Sequence, residues 1–79
     1  MTLKQKFSNR VARFDRDTMY IIVEMQDGSE AYVEGEAGHG DVLNFTYGEK
    51  EVDGFNNVME VVNGLIDAKQ VFDVRMVNY

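Results

Sequence analysis

Two short β-type runs that meet at a single turn dominate this sequence. Met19-Tyr20-Ile21-Ile22-Val23-Glu24-Met25 is β-branched and aromatic, Ser29-Glu30-Ala31-Tyr32-Val33-Glu34 alternates strictly, and Gln26-Asp27-Gly28 between them is turn chemistry. Together they predict an antiparallel hairpin. A two-residue Asp27-Gly28 loop would place Glu30 and Glu34 on the face of Ile21, Val23 and Met25. A three-residue loop, a type I turn with Gly28 left-handed in a G1 bulge, instead gathers Ile21, Val23, Met25, Ala31 and Val33 on one side. Tyr20, Ile22, Glu24, Glu30, Tyr32 and Glu34 then fall on the other. Because a one-residue slip flips every side chain, the register that separates apolar from charged residues is the one expected.

The flanking segments set the fold class. Leu3, Phe7, Val11 and Phe14 recur at helical spacing, and Thr2 and Gln5 are spaced as a capping box, which predicts a helix over 2–13. Its rival is a shorter helix to Ser8 followed by a strand over 10–14, since Ser8-Asn9 also reads as a turn. A glycine-rich loop over 35–41 precedes a third strand over 42–47, and 48–53 reads as a polar connection. Phe55, Val58, Met59, Val62, Leu65 and Ile66 line one face of a second helix, with Asp53 as its expected N-cap. Gly64 sits on the polar arc of that helix for no local reason. Period two returns over 71–77 as a last strand. The order α-β-β-β-α-β predicts an α+β, two-layer domain: a mainly antiparallel four-stranded sheet with both helices on one face. Seventy-nine residues allow one such domain, 1–79, and a core this small leaves dimerisation a useful source of stability.

Charge is unevenly spread over the net −6. Residues 1–16 hold Lys4, Lys6, Arg10, Arg13 and Arg16 against Asp15 alone, whereas the remaining 63 residues hold three cations and thirteen acids. An acidic body repels nucleic acid and anionic membranes and attracts basic partners. The chain has no cysteine, no apolar run long enough for a signal peptide core near Met1, and none long enough to span a membrane. These features point to a cytoplasmic protein.

The motifs that carry chemistry are weak. His39, the one histidine, lies between Gly38 and Gly40 with Glu36 and Asp41 near it, which reads as a solvated loop before it reads as a metal or general-base site. The glycines at 35, 38 and 40 match no phosphate-binding pattern, and neither serine lies in a nucleophile motif. Glu49-x-Glu51-x-Asp53-Gly54 followed by Glu60 places acids and glycine as in a calcium-binding EF-hand loop, but with a strand before it where an entering helix belongs. Helix capping and solvation account for the same residues. Lys6, Arg10 and Arg13 form a basic ridge able to touch phosphates, although in so acidic a chain it serves better to offset the protein's own acids.

With no positioned acid, base, nucleophile, metal or cofactor site, the chain reads as a non-enzymatic, acidic protein-binding module. The surface expected to meet the partner is the outward sheet face with Tyr20, Glu24, Glu30, Tyr32 and Glu34, extended by Glu36 and Asp41. Tyrosine gives large contact area at low entropic cost, and spaced carboxylates can imitate phosphates to a basic surface. By analogy of size and charge, one form of this is a phage-type inhibitor, a nucleic-acid-mimicking decoy that occupies the basic surface of a larger nucleic-acid-binding protein. The alternative is a small structural homo-oligomer, dimerising through the sheet face with Tyr20, Ile22, Val71 and Val77 across the axis.

Overall fold

The structure is a computed structural model that describes residues 1–15, 17–35 and 43–79. Its elements run α1 (Leu3–Ala12), β1 (Met19–Met25), β2 (Glu30–Gly35), β3 (Leu43–Tyr47), β4 (Lys50–Asp53), α2 (Phe55–Asp67) and β5 (Val71–Asn78). The class is α+β, as expected, but the sheet has five strands rather than four. They are all antiparallel, in the order β4-β3-β2-β1-β5.

The extra strand is the segment read as a polar connection. Lys50–Asp53 pairs with β3 in the register Tyr47↔Lys50, Phe45↔Val52, Asn44↔Asp53. The pairing is closed by the two-residue loop Gly48-Glu49, with Gly48 at φ +57°, the Gly-first choice that suits a tight hairpin. Only Val52 of this strand meets the core, so its composition resembles a loop. Short and charged, β4 is a well-protected sheet edge.

The first hairpin adopts the register that sorts the faces. Ile21 pairs with Val33, Ile22 with Tyr32, Val23 with Ala31 and Glu24 with Glu30, while Gly28 takes φ +89° at the turn. The Asp27 carboxylate accepts from both the backbone N–H and the hydroxyl of Ser29, which holds its pKa below the ordinary carboxylate value, the hydroxyl bond being the larger cause.

Helix α1 continues through Ser8 and Asn9, so the strand over 10–14 does not form. Its capping box is complete: Gln5 N–H donates to Thr2 Oγ1 at 3.1 Å and Thr2 N–H donates to Gln5 Oε1 at 2.9 Å. Asp53, the expected cap of α2, belongs to β4 instead. The N-cap is Gly54 at φ +95°, with no side-chain cap, because the chain must turn sharply from strand to helix there.

Both helices cover one side of the sheet. Phe7 of α1 and Val58 and Val62 of α2 join Ile21, Val23, Ala31, Val33, Leu43, Phe45, Val71 and Val74 in one buried cluster. Val71 enters it, and Phe72 is left exposed, because a bulge opposite Glu24 and Met25 shifts the phase of β5. Among the described residues, no helix lies on the other side of the sheet.

Candidate functional site

The uncovered face is built from the alternate residues of all five strands. One cross-strand row runs Glu51, Thr46, Tyr32, Ile22, Arg75 from β4 to β5. Beside it run Asp53, Asn44 and Glu34 on β4, β3 and β2, and Tyr20 opposite Val77 on β1 and β5. These positions share the face because every one is an even step from the next along its strand.

The β1–β5 half is aromatic. Tyr20 lies 6.2 Å from Tyr32 and 5.3 Å from Tyr79, centroid to centroid, both pairs tilted. Tyr79 is 73% exposed, and its backbone N–H donates to Thr18 O at 2.8 Å, which fastens the last residue onto the start of β1. Ile22, flanked across the strands by Tyr32 and Arg75, is 4% exposed, so it supports the face from within.

Among the described residues, Arg75 is the cation of this surface. Its Nε donates to Glu24 Oε1 at 2.6 Å and its Nη2 to Glu30 Oε2 at 3.1 Å, while the Tyr32 hydroxyl donates to Glu30 Oε1 at 3.1 Å. The bond to Glu24 is the main reason the Arg75 pKa rises further. The hydrogen bond to Glu30, followed by the charge of that carboxylate, raises the Tyr32 phenol above its ordinary value. Glu24 and Glu30 are therefore internal partners rather than free charges.

The β2–β4 half is acidic and uncompensated. Glu34, Glu51 and Asp53 are exposed and have no cationic partner among the described residues. With the Asn44 amide turned so that its nitrogen faces the carboxylate, it donates to Asp53 Oδ1 at 2.8 Å, and Asn57 Nδ2 donates to the Asp53 backbone carbonyl at 3.1 Å.

Five of the residues expected at the partner surface, Tyr20, Glu24, Glu30, Tyr32 and Glu34, share this face. Glu36 and Asp41 lie outside the described residues, as does His39. Asn44, Thr46, Glu51, Asp53, Arg75 and Tyr79, not expected from the sequence, join the five on this face. For Glu51 and Asp53 the signal was there, in the alternation of Lys50–Asp53 after a Gly-x turn. Of the residues offered for a dimer axis, Val71 is in the core and Ile22 is buried, which leaves Tyr20 and Val77.

The calcium motif of Glu49 to Glu60 is not a loop. Glu51 and Asp53 project from a strand onto the open face, while Glu60 sits on α2, so the acids cannot wrap one ion as a twelve-residue loop does. Among the described residues no group of three or more acids or histidines could hold a metal. The basic ridge is partly spent: Lys6 pairs with Asp73, and Arg10 and Arg13 line an open groove with Met1, Asn9 and Ala12. No described helix is long and apolar enough to cross a membrane. The chain matches no family model, no curated protein and no solved structure.

Proposed function

We propose that the chain is a non-enzymatic protein-binding module whose open sheet face meets a basic surface of a larger, nucleic-acid-binding protein. One observation carries this reading: a sheet face on which, among the described residues, no helix packs and a tyrosine cluster adjoins three carboxylates with no cation to neutralise them. Aromatic anchors beside charges that steer approach are the usual chemistry of a transient protein interface. Acting as a decoy for nucleic acid is the form of this function that the net charge of −6 favours.

The test uses the wild-type chain and the Glu34→Lys/Glu51→Lys double variant as baits in a bacterial lysate, read by mass spectrometry. Glu24 and Glu30 are left intact because they hold Arg75. A nucleic-acid-binding protein captured by wild type alone, and released by added nucleic acid, supports the reading. The same protein held equally by the double variant overturns the assigned surface. Recovery of nothing but the chain itself favours a homo-oligomer, for which the exposed Tyr79 beside Tyr20 is the specific observation.

A further inference from the structure

We propose that the open face reads arginine side chains, in preference to lysine, on an arginine-rich segment of its protein partner, with Tyr20, Tyr32 and Glu34 forming the recognition point. The proposal rests on the reading that this face meets a basic protein, and it specifies what on that protein is recognised.

The face already holds one arginine of its own. Arg75 spans two carboxylates on adjacent strands, Glu24 through Nε and Glu30 through Nη2, and Tyr32 fixes Glu30 from its other oxygen. A guanidinium can make both bonds because its donors are set in a rigid planar fork, whereas an ammonium is a compact point charge. The same residue types recur a short step along the face. Glu34 follows Tyr32 by two positions on the same side of β2, and Tyr20 stands beside Tyr32 at 6.2 Å. Asn44 pairs with Glu34, and Asp53 with Asn44.

No cation of the described residues serves this second group. Lys4, Lys6 and Arg10 lie on α1 and Arg13 caps it, on the helical side of the sheet; Lys50 sits over the Tyr47 ring, Lys69 closes the turn after α2, and Arg75 is engaged. A partner arginine laid over the Tyr20 and Tyr32 rings would gain a cation–π contact along its flat guanidinium while its donors reach Glu34. Lysine would gain the charge attraction but little of the stacking. The neighbouring carboxylates Asp53 and Glu51 suit a run of arginines rather than one.

The experiment titrates deca-arginine and deca-lysine, equal in charge, into the full chain, with affinity from calorimetry and the contact site from amide shifts. Deca-arginine is expected to bind about ten-fold tighter than deca-lysine, with the largest shifts at Tyr20, Tyr32 and Glu34. Tyr20→Leu should bring the two peptides to nearly equal affinity, and Glu34→Gln should weaken both. Equal binding of the two peptides to wild type overturns the arginine preference while leaving an acidic docking face. Binding of neither overturns the preference and the proposed function together. A preference for arginine that survives both substitutions, or shifts confined to residues off this face, overturns the placement. Should Tyr20→Leu fail to fold, the shift map on wild type decides the placement alone.

Discussion

Lys6 Nζ donates to Asp73 Oδ1 at 2.6 Å, an ion pair between the first helix and the last strand across 67 positions of sequence. The Lys6 hydrogen bond is the largest reason the Asp73 carboxyl titrates below its ordinary value of 3.8; the Val74 N–H and the charges of Lys6 and Arg10 add to it, and burial opposes it. A carboxylate with a depressed folded-state pKa contributes stability that is full above its unfolded pKa and is lost as pH falls through the folded one. Asp73→Asn should therefore cost about 0.5–1 kcal/mol at neutral pH, kept small by solvent screening of a pair about one-third exposed. The difference from wild type should shrink steadily from pH 4 downward. Urea unfolding of both proteins at pH 7, 4 and 2 measures it, and a difference that stays constant would contradict the assignment.

Helix α2 has a glycine in its interior and, just past its C-cap, a lysine where a glycine would fit better. Gly64 is exposed in the helix interior, and a Cβ there would meet nothing within 4 Å, so Gly64→Ala should raise stability by up to about 1 kcal/mol. Lys69, just past the C-cap Ala68, is left-handed at φ +60°, with Gln70 N–H donating to Leu65 O and Lys69 N–H to Ile66 O. This closing turn strongly prefers glycine at that position. Lys69→Gly should add a further ~1 kcal/mol by removing the strain. Thermal melting should show both midpoints rising, and the pair rising nearly additively. A lower midpoint for either single variant would refute its part of the account.

How much of this was legible in the sequence depended on how far each segment reaches the core. The hairpin of Tyr20 to Glu34 and both helices were readable because alternate or helically spaced residues are buried, Ile21, Val23, Ala31 and Val33 in one case and Val58 and Val62 in the other. Strand β4 was not, since Val52 alone marks it as inward and Glu51 and Asp53 look like loop acids. The phase change that buries Val71 and exposes Phe72 comes from a bulge, a property of pairing with β1 that no local pattern encodes. The site followed the same rule. Tyr20, Tyr32 and Glu34 were found through their own hairpin, whereas Arg75 and Asp53 join them only through strand order.

Phe7 is the one fully buried residue of α1, so its ring is the main anchor of that helix on the sheet. Phe7→Ala should cost about 3–5 kcal/mol, a large share of the ~4–12 kcal/mol that a domain of 79 residues commands. The variant should lose helical circular dichroism at temperatures where wild type is intact. An unchanged melting midpoint would mean that α1 is not held by the core.

Glu24 and Glu30 stand directly opposite each other on β1 and β2, and like charges so placed are destabilising unless a cation intervenes. Arg75 intervenes, bonding to one with Nε and to the other with Nη2. Arg75→Gln should therefore lower the melting midpoint, and the loss should be greatest at low ionic strength, where repulsion between surface carboxylates is least screened. Adding salt should recover part of the loss, and a second substitution, Glu30→Gln, should recover it at low salt as well. If the Arg75→Gln deficit is the same at every salt concentration and persists in the double variant, then Arg75 supports Ile22 by packing rather than by charge.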